Sequence, residues 1–79
     1  MKNISMTELA DLGFEVVKSY TYDVWLTQRR QKGCIQVETT WEMPSGKFEK
    51  QELWIEAEWV EGFNADDLKK LDEILNKTK

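Results

Sequence analysis

The sequence predicts an α+β fold, in which a three-stranded antiparallel β-meander is backed on one face by a short N-terminal helix and a C-terminal helix. Helix-start signals stand near both ends of the chain, and apolar and polar residues alternate along the segments between them. The four glycines fall at the boundaries of these segments, where turns are expected. With 79 residues the chain has room for one small domain, residues 1–79.

The first helix is predicted near residues 6–12. Ser5 and Glu8 have the spacing of a capping box, in which each side chain accepts a hydrogen bond from the backbone N–H of the other residue. Gly13 then supplies the left-handed residue that ends a helix, and Phe14 stands where a Schellman motif places an apolar contact back to Leu9. These signals define both ends of the helix.

Three strands are predicted between the helices, over about residues 16–26, 34–43 and 48–60. Each segment alternates apolar and polar side chains, as a half-buried strand does. The polar and basic stretch QRRQKG, residues 28–33, is predicted to form the first turn, and MPSGK, residues 43–47, the second.

The C-terminal helix has the clearest local signals. Asn64 is a favourable N-cap, and Asp66 and Asp67 follow at the positive end of the helix dipole. An apolar stripe at helical spacing comes next: Leu68, Leu71, Ile74 and Leu75. This stripe is expected to pack on the same face of the sheet as the first helix.

Loop lengths predict how the three strands pair. A three-residue loop at residues 44–46 pairs Val37 with Leu53, and a two-residue loop at residues 31–32 pairs Leu26 with Val37. The face that the helices cover is then mostly apolar. This predicted inner face consists of Tyr22, Val24, Leu26, Ile35, Val37, Trp41, Leu53, Ile55, Ala57 and Trp59.

The opposite face of the sheet carries the candidate binding site. In the predicted register Trp25 lies opposite Glu38 and Trp54 lies opposite Gln36, so the two tryptophans lie diagonally across the middle strand. We predict that these four residues contact a protein partner or a second copy of the chain, because tryptophan is enriched at interface hot spots. Two alternatives stay open: the indoles only shield the sheet, or they stack on single-stranded nucleic acid.

The charge of the chain restricts its partners. The net charge is -4, which argues against direct nucleic-acid binding because phosphates require a dense basic patch. Glutamates are dense around the last two predicted strands, which leaves an alternative function, an acidic inhibitor that mimics phosphates and acts on a host nucleic-acid-binding enzyme. Lys47 and Lys50 interrupt that acidic pattern. The basic stretch at residues 28–32 is interpreted as a solvated turn.

No catalytic residue, metal site, cofactor or small-molecule substrate is predicted. The chain has no histidine, the usual general base and the commonest metal ligand. Cys34, the only cysteine, has no base to assist it and would need Arg29 or Arg30 across the turn to activate it. No apolar run is long enough to span a membrane and the start lacks a signal-peptide pattern, so we expect no membrane partner and a cytoplasmic location.

The opening TELADLGFEVV and the closing NADDLKKLDEIL, with strands between them, resemble small uncharacterised proteins encoded by phages and prophages of Gram-positive bacteria. Many of those proteins begin with a short helix that ends in Leu-Gly-Phe or Leu-Gly-Tyr and finish with an acidic-capped helix. The Trp-rich strands of this chain depart from that pattern. The resemblance transfers no functional residue and implies an intracellular accessory protein that acts by binding.

Overall fold

We describe the chain from a computed structural model, which describes residues 4–56 and 58–76. Within these ranges the elements follow the order α1 (Met6–Asp11), β1 (Glu15–Tyr22), β2 (Trp25–Lys32), β3 (Ile35–Glu42), β4 (Lys47–Ile55), β5 (Glu58–Val60) and α2 (Ala65–Asn76). The strands form one antiparallel sheet in chain order. The α+β class and the two terminal helices are confirmed, whereas the prediction of three strands is wrong, because the described part of the sheet has five.

Helix α1 begins and ends where the local signals predict. The hydroxyl of Ser5 accepts a hydrogen bond from the N–H of Glu8 at 3.1 Å, and the carboxylate of Glu8 accepts one from the N–H of Ser5 at 3.2 Å. After the helix, Gly13 has a φ of 96°, and the N–H of Phe14 donates to the carbonyl of Leu9 at 2.9 Å. Leu9 and Phe14 are fully buried, so this end of the helix is anchored in the core.

The core lies between the two helices and one face of the sheet, which we call the inner face. Its buried apolar side chains are Ile4, Leu9, Phe14, Ile35, Val37, Leu53, Phe63 and Leu68. On α2, Leu68 belongs to this core and Leu71 packs against it, but Ile74 is 68% exposed. The predicted apolar stripe is therefore wrong at Ile74, because that residue lies farthest around the helix from Leu68.

The first predicted strand, residues 16–26, instead contains most of β1, a turn and the first two residues of β2. A two-residue turn at Asp23 and Val24 joins β1 to β2, and Asp23 has a left-handed φ of 56°. Even-numbered residues of β2 face the helices, but the tight turn puts the even-numbered residues just before it on the opposite face. Tyr22, predicted on the inner face, therefore lies on the opposite face beside Trp25. Val24, also predicted on the inner face, lies in the turn itself.

The predicted first turn at residues 28–33 is also wrong. Residues 28–32 belong to β2, and the chain turns at Gly33 and Cys34. The pairing of β2 with β3 is therefore shifted by four residues, so that Leu26 lies opposite Trp41 rather than Val37. Because the shift is an even number of residues, Leu26 remains on the face predicted for it.

Cations of β2 hold α1 onto the inner face, so the basic stretch is not a solvated turn. The guanidinium of Arg30 donates to the carbonyl of Phe14 at 2.9 Å, and the ammonium of Lys32 donates to the carbonyl of Leu12 at 2.7 Å. The carbonyl of Leu12, the C-cap of α1, has no helical N–H partner and needs a donor such as Lys32, while Arg30 binds the chain just beyond the helix. The charges of β2 are therefore used to close the end of α1.

Lys32 also connects the sheet to α2 through Asp72. Its ammonium lies 2.8 Å from one carboxylate oxygen of Asp72, and the amide of Asn76 donates to the other oxygen at 3.0 Å. Burial acts to raise the pKa of Asp72, but the hydrogen bonds from Lys32 and Asn76, together with the charge of Lys32, outweigh it and hold the pKa below 3.8. The ionised carboxylate is therefore the form that the fold stabilises.

The pairing of β3 with β4 follows the prediction where both strands are buried. Val37 lies opposite Leu53, and Trp54 lies opposite Gln36, as predicted. An irregularity after Thr40 then shifts the register. The bulge changes the pairing only toward the β3–β4 loop.

The third predicted strand is divided by a second tight turn. β4 ends at Ile55, Glu56 has a left-handed φ of 58°, and β5 returns along β4. Trp59, predicted on the inner face, therefore lies opposite Trp54 on the other face. Ala57, also predicted on the inner face, lies outside the described residues.

Candidate functional site

The side of the sheet turned away from both helices forms the candidate site, and we call it the outer face. Cross-strand partners and the groove described below place on it Glu15, Lys18, Tyr20 and Tyr22 of β1, Trp25, Thr27, Arg29 and Gln31 of β2, Gln36, Glu38, Thr40 and Glu42 of β3, Lys47, Glu49, Lys50, Glu52 and Trp54 of β4, and Trp59 of β5. All four residues of the predicted binding site, Trp25, Trp54, Gln36 and Glu38, lie on this face.

The predicted juxtaposition of Trp25 and Trp54 is wrong, because they lie at opposite ends of the outer face. Trp25 lies opposite Glu42 rather than Glu38, whereas Trp54 lies opposite Gln36. Six residue steps along β3, from Gln36 to Glu42, separate these two positions by about 20 Å. Each tryptophan therefore belongs to a different aromatic cluster.

The first cluster lines an open groove near the β1–β2 turn, and we call it the aromatic groove. Its rings are Tyr20, Tyr22 and Trp25, its volume is about 460 Å³, and the rest of its lining is polar: Thr27, Glu38, Thr40, Glu49 and Lys50. Tyr22 is 76% exposed. Sequence reasoning placed Tyr22 on the wrong face and assigned Tyr20 to neither face; the missed signal was Asp23, a residue type that tolerates the left-handed φ of a tight turn.

The second cluster is formed by Trp54 and Trp59, which lie directly opposite each other on β4 and β5; we call them the tryptophan pair. Trp59 is 51% exposed. Trp54 is half-buried, and its indole N–H is shielded from solvent with no acceptor among the described residues. Because aromatic cross-strand pairs stabilise a sheet, Trp54 is anchored while Trp59 remains available for contact.

The centre of the outer face, between the two clusters, is polar. Arg29 donates two hydrogen bonds, at 2.9 and 3.2 Å, to one carboxylate oxygen of Glu38. The hydroxyls of Thr27 and Thr40 lie 3.1 Å apart, and both residues are buried. On the other side of β3, Glu52 lies opposite Glu38, which places two like charges in one cross-strand pair.

The charges of the outer face nearly balance. It carries four cations and five carboxylates: Lys18, Arg29, Lys47 and Lys50, with Glu15, Glu38, Glu42, Glu49 and Glu52. Its net charge is therefore -1, whereas the whole chain has a net charge of -4. The face offers neither the dense basic patch that phosphates require nor a continuous acidic surface.

The described residues offer little to metal or thiol chemistry. They contain no group of three or more His, Cys, Asp or Glu side chains placed to hold a metal ion. Cys34 is half-buried in the β2–β3 turn and packs against the core. The guanidinium groups of Arg29 and Arg30, the cations that a reactive Cys34 would need, donate to Glu38 and to the carbonyl of Phe14. Within residues 4–56 and 58–76, no helix has the length and apolar character needed to cross a membrane.

Comparisons of the chain with protein-family models, with curated proteins and with solved structures found no match. The function proposed for the chain therefore rests on the aromatic clusters, exposure and charge of the outer face.

Proposed function

We propose that the chain is a non-enzymatic interaction module that binds a protein, either a partner or a second copy of itself, through the outer face. The observation that carries this proposal is the exposure of Tyr22 and Trp59 on the side of the sheet to which neither described helix packs. Tyrosine and tryptophan are enriched at interface hot spots because each ring buries a large area at a low cost in side-chain entropy. A face with two such clusters suits a partner that covers both.

The exposure of these rings favours a contact role over shielding of the sheet. A ring that shields backbone hydrogen bonds is itself partly covered by the strands, and half-buried Trp54 fits that role. Tyr22 covers little of the sheet, since most of its surface faces solvent. Shielding therefore accounts for Trp54 but not for Tyr22 or Trp59.

The non-enzymatic part of the proposal is supported by the residue types of the face. The chain has no histidine, and the groove carboxylate of Glu38 is held in an ion pair with Arg29. An exposed carboxylate such as Glu49 is solvated and is a poor general acid or base. The resemblance to small phage and prophage proteins adds the proposed setting of an intracellular accessory protein.

The distribution of charge does not favour the alternative function, an acidic inhibitor of a nucleic-acid-binding enzyme. Phosphate mimicry needs a continuous negative surface, but on the outer face Glu42 lies opposite Lys47 and Glu38 binds Arg29. Reversal of Glu42, Glu49 and Glu52 to lysine separates the two functions. It would abolish inhibition by mimicry, whereas it would only modulate binding through aromatic contacts.

The proposal is tested with a variant that removes exposed rings from the outer face. Tyr22→Thr combined with Trp59→Thr removes both rings and introduces residues with high strand propensity. Ile74→Ala is the matched control, since it removes an exposed apolar side chain from a different surface. Partners are captured from the native host with the immobilised chain and purified, and their affinity for each variant is measured by calorimetry. Self-association is measured by sedimentation.

We expect the double variant to lose affinity for its partner, or for itself, by at least about tenfold, as the removal of a hot spot does. Its far-UV circular dichroism should match that of the unaltered chain. Affinities that are the same for the double variant and for Ile74→Ala would overturn the proposal.

A further inference from the structure

We infer that the partner of the outer face is a second copy of this chain, bound so that the tryptophan pair of each copy lies in the aromatic groove of the other. This inference rests on the proposed function and adds the identity of the partner. It follows from the position, shape, area and charge of the two clusters on one face.

The three rings of the aromatic groove and the tryptophan pair lie at diagonally opposite corners of the outer face. The three rings of the groove are on β1 and β2 near the level of Glu42, and the groove extends from them across β3 to Glu49 and Lys50 of β4. The pair is on β4 and β5 at the level of Gln36. A two-fold axis in the plane of the interface, along the other diagonal, exchanges these two corners between copies. Each contact is then made twice, as the symmetry of an isologous interface requires.

The two clusters are complementary in shape and chemistry. The groove is a concave space of about 460 Å³ with three aromatic rings and five polar residues in its lining, and Trp59 is a ring with about half of its surface exposed. A ring inserted beside the rings of the groove meets them in the offset or edge-to-face arrangements that aromatic side chains prefer. The two sheets then cross at a large angle, which is one of the two common ways in which sheets pack face to face.

The outer face is large enough for a dimer interface, although only for a weak one. Four of its strands are about 27 Å long and β5 is about 10 Å long, and at a spacing of about 4.8 Å they cover roughly 600 Å². Two such faces together bury roughly 1,200 Å², the lower limit for stable interfaces. We therefore expect a dimer whose population depends on concentration.

Charge also favours a second copy over a strongly charged partner. The outer face has a net charge of -1, and most of the net charge of -4 lies on the remaining surface of the chain. Two copies therefore repel each other least when their outer faces meet. Such a dimer does not weaken as salt is added, whereas binding to a basic partner would.

Complementation between two variants tests this arrangement. Trp59→Thr removes the exposed ring of the tryptophan pair, and Tyr20→Thr combined with Tyr22→Thr removes two walls of the groove. A homodimer of either variant has no complete contact between groove and pair, but a heterodimer of the two retains one. Sedimentation velocity measures association for the unaltered chain, each variant, their equimolar mixture and the control Ile74→Ala.

We expect the unaltered chain and Ile74→Ala to dimerise, each outer-face variant to dimerise at least about tenfold more weakly, and the mixture to recover part of the association. A chain that is monomeric at every concentration overturns this inference, but it leaves the binding of a different partner, tested above, as the proposed function. Dimers that persist in both outer-face variants place the contact elsewhere, such as the exposed edge of β1, and also overturn the inference. A mixture that associates no better than its components excludes the arrangement of groove and pair.

A measurement on the unaltered chain covers the case in which a variant fails to fold, as judged by circular dichroism. Dilution through the transition from dimer to monomer should shift tryptophan emission to longer wavelength, because Trp59 passes from the groove of its partner into water. An emission maximum that stays constant through the transition overturns the inference.

Discussion

Substitution of Gly33 by alanine tests the turn between β2 and β3, on which the register of the outer face depends. Gly33 has a φ of 61°, and a Cβ at this position would collide with the side-chain amide of Asn76 at the end of α2. Asn76 donates to the carbonyl of Lys32 at 3.2 Å and to the carboxylate of Asp72 at 3.0 Å. The substitution therefore strains the turn and also displaces the contact that holds α2 against it.

Gly46→Ala is the control that separates the cost of strain in the turn from the cost of losing the Asn76 contact. An alanine in the left-handed region costs about 1–2 kcal/mol, and loss of the two Asn76 hydrogen bonds costs about 2 kcal/mol more. Gly46 has a φ of 77°, but no atom lies within 4 Å of its Cβ position, so Gly46→Ala has only the first cost. We expect Gly33→Ala to lower the free energy of unfolding by about 3–4 kcal/mol and Gly46→Ala to lower it by about 1–2 kcal/mol.

Urea unfolding measures these free energies, and Asn76→Ala with the double variant Gly33→Ala/Asn76→Ala completes a thermodynamic cycle. Asn76→Ala removes the side chain with which the new Cβ would collide, together with its hydrogen bonds. The loss of unfolding free energy in the double variant should therefore be about 2 kcal/mol smaller than the sum of the losses in the two single variants. Equal losses for Gly33→Ala and Gly46→Ala, or additive losses in the cycle, would refute the placement of the turn against α2.

Three further substitutions test the charges and the shielded indole. Asp72→Asn should lower the free energy of unfolding at neutral pH, because the ionised carboxylate is the form that the fold stabilises. The difference in free energy between this variant and the unaltered chain should shrink as the pH falls through the pKa of Asp72, which is below 3.8. A difference in urea midpoints that does not change with pH would count against this. Glu52→Gln should raise the free energy of unfolding, measured by thermal unfolding, by about 0.2–1 kcal/mol at low salt, because it removes a like charge opposite Glu38. No gain in this free energy at low salt would disprove the repulsion. Trp54→Phe should leave the free energy of unfolding unchanged or raise it, because the indole N–H has no acceptor among the described residues. A loss above about 1 kcal/mol in urea unfolding would contradict this expectation.

The helices and the centre of the sheet were predictable because their signals are local. Ser5 with Glu8 is one reciprocal cap, and Asn64 with Asp67 is another, with hydrogen bonds at 2.9 and 3.2 Å. Apolar residues at alternate positions of β3 and β4 fixed their register, because a slip of one residue would expose all of them. Trp54 consequently lies opposite Gln36, as predicted, while the binding role of both residues stays a prediction.

Two tight turns escaped prediction because their described residues include neither glycine nor proline. Asp23 and Glu56 adopt left-handed φ values of 56° and 58°, which few residue types other than glycine favour. Each turn exchanges the two faces for the residues beyond it, and this is why Tyr22 and Trp59 were placed on the inner face. The predicted outer face thus lacked the most exposed rings of both aromatic clusters.

The positions of Arg30 and Lys32 were also beyond sequence reasoning. A charged stretch resembles a solvated turn unless its partners are known. Those partners are the carbonyls of Leu12 and Phe14, at and just beyond the C-cap of α1, and the carboxylate of Asp72, which lie far away in sequence. Such contacts leave no local signal in the chain.

Hydroxyl-radical footprinting most directly tests whether the exposed rings of the outer face are covered when the chain associates. The oxidation rates of Tyr22, Trp59 and Ile74 report how exposed each side chain is in the dissociated and associated states. We expect Tyr22 and Trp59 to become protected on association, while Ile74 remains as reactive as before. Oxidation of Tyr22 and Trp59 at the same rate in both states, or protection of Ile74 instead, would show that the chain associates through another surface.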